Sequence, residues 1–328
     1  MSKRKIAVRG AGVCGLWHAL MLAKAGHSVT VTERSTEPFA ESCSQYAGAM
    51  MSPFCEEEGT EALSRDLGLR SIELWQETYP EAHVNGSLVI AQSRDRRELD
   101  RFARVTEGHE RVSGEVIAEL EPDLAGRFET GLYFAQEGHV TPHDALPFLL
   151  DTARKAGAEI RFGIESVPDG VDWVIDCRGL AARDTLKDLR GVRGERVVIH
   201  TTEVELSRPV RLLHPRFPLY IVPWSKNRFL IGATQIESDE TGPVTVRSAL
   251  ELLSTAYALH PAFGEAEIVD FAAGARPAFP NNQPRVIVRN DHIHVNGLYR
   301  NGYVLAPALS ELTARFIDEG VTHPEVFS

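Results

Sequence analysis

Residues 10–15 of this 328-residue sequence read Gly-Ala-Gly-Val-Cys-Gly, the spacing G-x-G-x-x-G. Glycine at the first position permits a tight turn. At the second it lets a pyrophosphate approach, and at the third it lets a helix pack closely on a strand. Glu33 follows 23 residues after Gly10, the separation at which an acidic side chain meets an adenosine ribose. A carboxylate there accepts hydrogen bonds from ribose hydroxyls and repels a 2′-phosphate. The expected ligand is therefore FAD or NAD rather than NADP.

Two further residues have types suited to gripping an anion. Arg276, in Gly-Ala-Arg-Pro just after a predicted strand, could clamp a carboxylate through two parallel N–H···O bonds or close a structural ion pair. Tyr220, in Leu-Tyr-Ile-Val-Pro, could offer its hydroxyl to the same carboxylate or fill a core position. His292 and His294 alternate on a predicted strand, and His139 and His143 straddle Pro142. Neither pair comes with a carboxylate or thiolate at metal-site spacing, so no metal is expected. Cys14 lies in the glycine turn at a helix N-terminus, a place that lowers a thiol pKa, although packing against a sheet is its simpler role. No nucleophile elbow or hydrolase triad is present.

These residues need elements to position them. Residues 5–8 read as a buried strand, Val13 to Ala25 as an apolar-periodic helix closed by Gly26, and 28–32 as a second strand. Together they make a βαβ unit whose helix N-terminus offers free N–H groups to phosphates. Helices are predicted over 56–80, with Glu56, Glu57 and Glu58 as an acidic first turn, and over 143–156, 246–259 and 307–319. Strands are predicted at 87–92, 158–162, 171–177 and 292–296. The mixed-sign stretch from Arg94 to Arg104 reads as a solvated helix face. From Glu195 to Thr234 the pattern is β-rich, with Ser225-Lys226-Asn227 turning a hairpin. The ends look doubly wound α/β and the middle antiparallel.

Bulk properties exclude whole classes. The length suggests two domains, and a hydrophobic fraction of 43% supplies their cores. A net charge of −11 repels phosphate backbones and anionic lipid, so no nucleic-acid or membrane partner is expected. No stretch approaches a membrane-spanning length, and the N-terminal segment lacks a signal-peptide core. Four cysteines without CxxC spacing read as reduced thiols of a cytoplasmic protein. The sequence leaves open whether the chain forms a homo-oligomer.

Several segments together resemble the D-amino-acid oxidase superfamily of flavoproteins. They occur in the family's order: GAGVCG, the loop Tyr-Ala-Gly-Ala-Met-Met-Ser-Pro at 46–53, VTPHDALPFLL, VIDCRG, YIVPW, GARP and YRNGYVLAP. The last two point to its glycine oxidase branch, which serves thiamine biosynthesis. The family usually has glycine where this chain has Ala49, and Gly-His where it has Gly297-Leu298. The segment from Phe162 to Val171 is short, so a hairpin of larger members is expected to be missing.

The resemblance implies a mixed α/β fold of two discontinuous domains. A Rossmann-like FAD-binding domain takes residues 1–80, 140–190 and 270–328. A mostly antiparallel substrate domain takes 81–139 and 191–269. It implies non-covalent FAD held by Gly10, Gly12, Val13, Gly15, Glu33, Arg34, Ala47, Gly48, Ala49, Met50, Gly179, Arg300, Asn301, Gly302 and Tyr303. It favours the carboxylate role for Arg276, with Tyr220 and Arg300 beside it. It further implies that the final helix, with Pro307 in its first turn, aims its positive end at the flavin. The implied reaction is oxidative deamination of a small amino acid, glycine first, with molecular oxygen as electron acceptor and hydrogen peroxide as product. The alternatives within the superfamily are D-amino acids, sarcosine or a cyclic imino acid, oxidised by an oxidase or a dehydrogenase.

Overall fold

The computed structural model describes residues 3–56, 62–215 and 218–328. The chain begins with β1 (Lys5–Arg9), α1 (Val13–Lys24), β2 (Ser28–Glu33), β3 (Met50–Met51), α2 (Ala62–Thr78), β4 (Ser87–Ala91) and α3 (Arg96–Val105). It continues through β5 (Glu110–Ser113), α4 (Gly114–Leu120), β6 (Thr130–Phe134), β7 (Gly138–His139), α5 (Pro142–Lys155), β8 (Glu159–Phe162) and β9 (Trp173–Asp176). A β-rich stretch follows: β10 (Arg190–His200), β11 (Val210–Leu213), β12 (Leu219–Trp224), β13 (Arg228–Gly232) and β14 (Ile236–Glu237). It ends with α6 (Val246–Leu259), β15 (Glu267–Ala278), β16 (Arg285–Arg289), β17 (His292–Asn296) and α7 (Gly302–Glu319).

One sheet has the order β16-β17-β9-β1-β2-β8. Its pairs are parallel except β16–β17. Parallel strands need helical crossovers on their faces, and α1, α5 and α7 pack there. α1 is buried on almost every side, Leu16, Trp17, Ala19 and Leu20 completely, as a helix apolar all round must be. The larger sheet runs β14-β10-β13-β12-β11-β4-β6-β5, with β15 also paired to β10. It is antiparallel apart from β4–β11. The predicted hairpin joins β12 to β13, where Lys226 and Asn227 both take positive φ.

The structure departs from several expectations. β15 pairs with β10 along Arg190 to His200, so residues 270–278 are strand in the larger sheet. Arg276 lies within that strand rather than after it. Glu56 lies in a 3-10 turn at the edge of the described residues, its N–H bonded to the Ser52 carbonyl at 3.1 Å, and its side chain is taken by two arginines. Glu57 and Glu58 lie outside the described residues.

The last helix starts at Gly302 rather than 307, which places Pro307 inside it. A proline there removes the N–H that would serve the carbonyl four residues back, at Tyr303. Trp75 of α2 supplies the replacement, its Nε1–H donating to the Tyr303 oxygen at 2.9 Å. Ser71 Oγ accepts the Ala308 N–H at 3.1 Å. Two side chains of α2 thus repair the backbone bonding of α7, a compensation that local sequence rules cannot reveal.

Candidate active site

The glycine turn is built as its spacing predicts. Gly10 has φ +96°, and a Cβ there would meet the Cys177 carbonyl at 2.9 Å. A Cβ on Gly15 would overlap the Gly10 carbonyl, so Gly15 lies beneath the turn as a packing position. Glu33 Oε2 accepts the Ala11 N–H at 2.8 Å and Oε1 accepts the Ser35 N–H at 3.1 Å. Each oxygen keeps a second lone pair. These residues wall a cavity of about 530 Å³, together with Gly12, Val13, Arg34, Gly179 and Gly302. Arg34 pairs with Glu41 at 2.6 Å.

A second cavity, of about 220 Å³, adjoins the first. Val13, Ser44, Tyr46 and Gly302 line both. Its walls include Ala47, Gly48, Ala49 and Met50 from one side, Tyr220 and Arg276 from the larger sheet, and Arg300, Asn301 and Tyr303 from the start of α7. The Tyr220 ring fits between two glycines: a Cβ on Gly48 would lie 2.6 Å from its Cε2, and one on Gly232 would lie 2.8 Å from its hydroxyl. The Arg276 guanidinium crosses over Gly194. Its Nη1 donates to the Thr234 carbonyl at 3.2 Å, and no described carboxylate pairs with it. Ala49 adopts φ +50°, a left-handed conformation that explains why glycine is the family's usual residue there.

Arg300 is anchored rather than free. Its Nη2 lies 2.6 Å from Glu56 Oε2, and Arg211 Nη2 lies 2.9 Å from Glu56 Oε1. Burial pushes the Glu56 carboxyl upward, but Arg300 and Arg211 outweigh it and bring it down to about 2. Among the described lining residues, three guanidinium groups against one carboxylate leave a surplus of two positive charges. Asn301 precedes α7 and accepts the Leu305 N–H at 2.8 Å through its carbonyl. Its buried side-chain oxygen has no partner. The first N–H groups of α7, from Gly302 onward, have no intrahelical acceptor, and that end of the helix opens into the cavity.

The family model for FAD dependent oxidoreductases known as DAO matches residues 5–316. The chain belongs to this family. A putative thiamine biosynthesis oxidoreductase ThiO from Rhizobium etli is 50% identical over 313 residues, 95% of each chain. A glycine oxidase from Geobacillus kaustophilus is 27% identical, covering 97% of this chain and 93% of the relative. The crystal structure of glycine oxidase from Bacillus cereus superposes with a TM-score of 0.81 at 24% identity, over 97% of this chain and 96% of the other. That likeness concerns the fold.

FAD is the cofactor of this DAO-family chain, and the residues suit it. Two joined cavities accommodate an elongated ligand. Gly10 and Gly12 line the space at the turn, and the N-termini of α1 and α7 both open onto it. The orphaned Asn301 oxygen is a buried acceptor awaiting a donor.

The structure gathers the residues singled out in the sequence into these two cavities, apart from Gly15 beneath the turn. Neither histidine pair converges on a common site. His139 stacks on His83 at 5.1 Å, and His294 faces Asp176 at 3.6 Å. Sequence reasoning missed Glu56, Arg211, Gly194 and Gly232. The only signal for Glu56 was its place in an acidic run, which pointed to a helix terminus. Gly194 and Gly232 sit inside strand patterns, where glycine marks a close approach.

Proposed function

We propose that this chain oxidises a small amino acid, glycine first, to its imine, in the cytoplasmic branch of thiamine biosynthesis that builds the thiazole. The observation that carries the reading is Arg276, a guanidinium without a carboxylate partner among the described residues, facing a cavity of about 220 Å³ beside Tyr220. The names of the Rhizobium etli and Geobacillus relatives support the pathway and the substrate.

When bound, FAD would supply the two-electron acceptor for the substrate Cα–H bond, with molecular oxygen as the final acceptor and hydrogen peroxide as the product. The chain's own residues bind and orient. Arg276 holds the carboxylate through two N–H groups, a geometry an ammonium cannot copy. Tyr220, fixed between Gly48 and Gly232, offers its hydroxyl to the same carboxylate. The substrate neutralises one of the two surplus charges. The other, with the α7 N-terminus, favours negative charge developing in the cavity. Glu33 and the glycine turn hold the adenosine end.

Among the described residues lining this cavity, Glu56 is the one carboxylate, and there is no histidine. Two arginines hold Glu56 ionised, so it is too weak a base to take an ammonium proton. The amine must therefore enter neutral. An anaerobic screen with glycine, sarcosine, D-alanine, D-proline and their L-forms tests the reading. Fastest bleaching of the yellow colour by glycine is expected. Faster bleaching by D-alanine or D-proline would remove glycine as substrate, and bleaching by none would remove amino-acid oxidation.

A further inference from the structure

One wall of the dinucleotide cavity holds chemistry that the proposed reaction does not use. The parallel pairing of β1 with β9 sets Arg9 opposite Asp176, so the glycine turn carries the first turn of α1 onto Cys177. Cys14 Sγ and Cys177 Sγ lie 3.6 Å apart. His18 Nδ1, one turn along α1, lies 3.7 Å from the first sulfur and 3.8 Å from the second. Both cysteines line the cavity, and Cys14 is partly exposed there.

The ring of His18 is buried and both its nitrogens are engaged. Nδ1 is 2.8 Å from the Cys14 carbonyl, and Nε2 is 3.2 Å from Thr313 Oγ1. The Thr313 hydroxyl itself donates to the Leu309 carbonyl at 2.8 Å. The ring is thus held at both nitrogens. This argues against a metal at the cluster, because a metal needs a free lone pair on the nitrogen facing it. It argues instead for a thiolate at Cys14, beside the imidazole and at a helix N-terminus. The hydrogen bond shared with Cys177 is the largest influence on Cys14. Together with His18 it overcomes burial and brings the thiol down to about 6. Burial first, and then Cys14 itself, push the Cys177 thiol well up. One sulfur is thus prepared to attack and its neighbour to remain a thiol.

We propose that Cys14 and Cys177 form a redox-active dithiol in the cofactor cavity, which a hydroperoxide closes to a disulfide when no dinucleotide covers it. The Cys14 thiolate attacks one peroxide oxygen; the S–O bond forms and the O–O bond breaks. Sulfur is oxidised by two electrons, and the departing hydroxide takes up the proton that Cys14 released, leaving as water. The Cys177 sulfur then attacks Cys14 Sγ; the S–S bond forms, the S–O bond breaks, and the hydroxide leaves with the Cys177 proton as a second water. The sulfurs need to approach by about 1.5 Å to reach disulfide length. Drawing Cys14 across pulls on the turn that Gly10 and Gly12 form, so the oxidised protein takes up FAD poorly until a dithiol reduces it. The natural source of peroxide would be the chain's own turnover, a point that rests on the function proposed above. The thiol chemistry does not rest on it, and the test below reads thiols rather than activity.

Holoenzyme and FAD-stripped protein are treated with stoichiometric hydrogen peroxide, and thiols are titrated after denaturation. The stripped protein should lose two of its four thiols and yield a peptide cross-linked through Cys14 and Cys177. The holoenzyme should keep all four over the same time. In Cys177→Ser the cross-link should vanish, and Cys14 should stop as a sulfenic acid that dimedone traps. If that variant does not fold, Cys177→Ala and the wild-type peptide map decide. Intact thiols in the stripped protein, or a cross-link through Cys43 or Cys55, would overturn the proposal. Equal loss in holoenzyme and stripped protein would overturn the shielding by FAD. A stoichiometric metal, with both thiols protected until a chelator is added, would replace the dithiol with a metal site.

Discussion

Glu56→Gln removes the carboxylate that pairs with both Arg300 and Arg211. The depression of Glu56 from the ordinary 4.5 to about 2 corresponds to about 3 kcal/mol of stabilisation of the ionised form. This agrees with the roughly 3–5 kcal/mol lost when one partner of a buried pair is removed. The lower figure is the better guide, since the Arg300 side chain is 28% exposed. An unfolding entropy of about 2.1 cal/mol/K per residue gives about 0.7 kcal/mol/K for 328 residues. The expected fall in Tm is therefore about 4 °C near neutral pH. The sign with pH follows from the direction of the shift. A carboxyl depressed in the folded state contributes fully above its unfolded value and loses that contribution as pH falls through its folded value. The gap between wild type and Glu56→Gln should thus be constant above pH 4.5 and close as pH falls to about 2. Calorimetry on the FAD-saturated proteins across that window measures it. An unchanged Tm at neutral pH, or a gap that persists undiminished in acid, would refute the assignment of Glu56 as the counter-ion.

Arg276→Ala should lower kcat/KM by about two to four orders of magnitude with FAD content normal, and Arg276→Lys should fall between. Near-normal kinetics would move the carboxylate clamp elsewhere. Glu33→Gln should weaken FAD binding by roughly 1.5–3 kcal/mol, read by titration of the stripped protein, with turnover at saturating FAD nearly unchanged. Gly48→Ala should displace the Tyr220 ring and lower kcat/KM by about 10²-fold; unaltered kinetics would show that Tyr220 does not touch the substrate. Acid precipitation should release the yellow colour into the supernatant, whereas colour retained in the pellet would mean a covalent link.

The cofactor half of the site was largely legible because its signals are local. A glycine turn between strand and helix, with an acid at the end of the next strand, states its geometry within thirty residues or so. Arg276 and Tyr220 were visible as candidates, but their setting was not. The glycines that make room for them, Gly194 and Gly232, come from other strands, and strand pairing across the larger sheet is non-local. Glu56 was misread because a run of acids has a simple local meaning, while its partners Arg211 and Arg300 lie far along the chain. The start of α7 was misplaced for the same reason. The rule placing proline in a first turn assumes that nothing outside the helix repairs the lost hydrogen bond.

That repair also fixes when the site can exist. The bonds from Trp75 to Tyr303 and from Ala308 to Ser71 join residues 228 and 237 positions apart. The dinucleotide turn needs only the first residues of a nascent chain, yet α7 is not properly aimed until residues 302–319 have left the ribosome. Cofactor capture therefore waits for α7 to emerge. Chains stalled on the ribosome after β15 should leave the fluorescence of added FAD unquenched, and quenching should follow the emergence of α7.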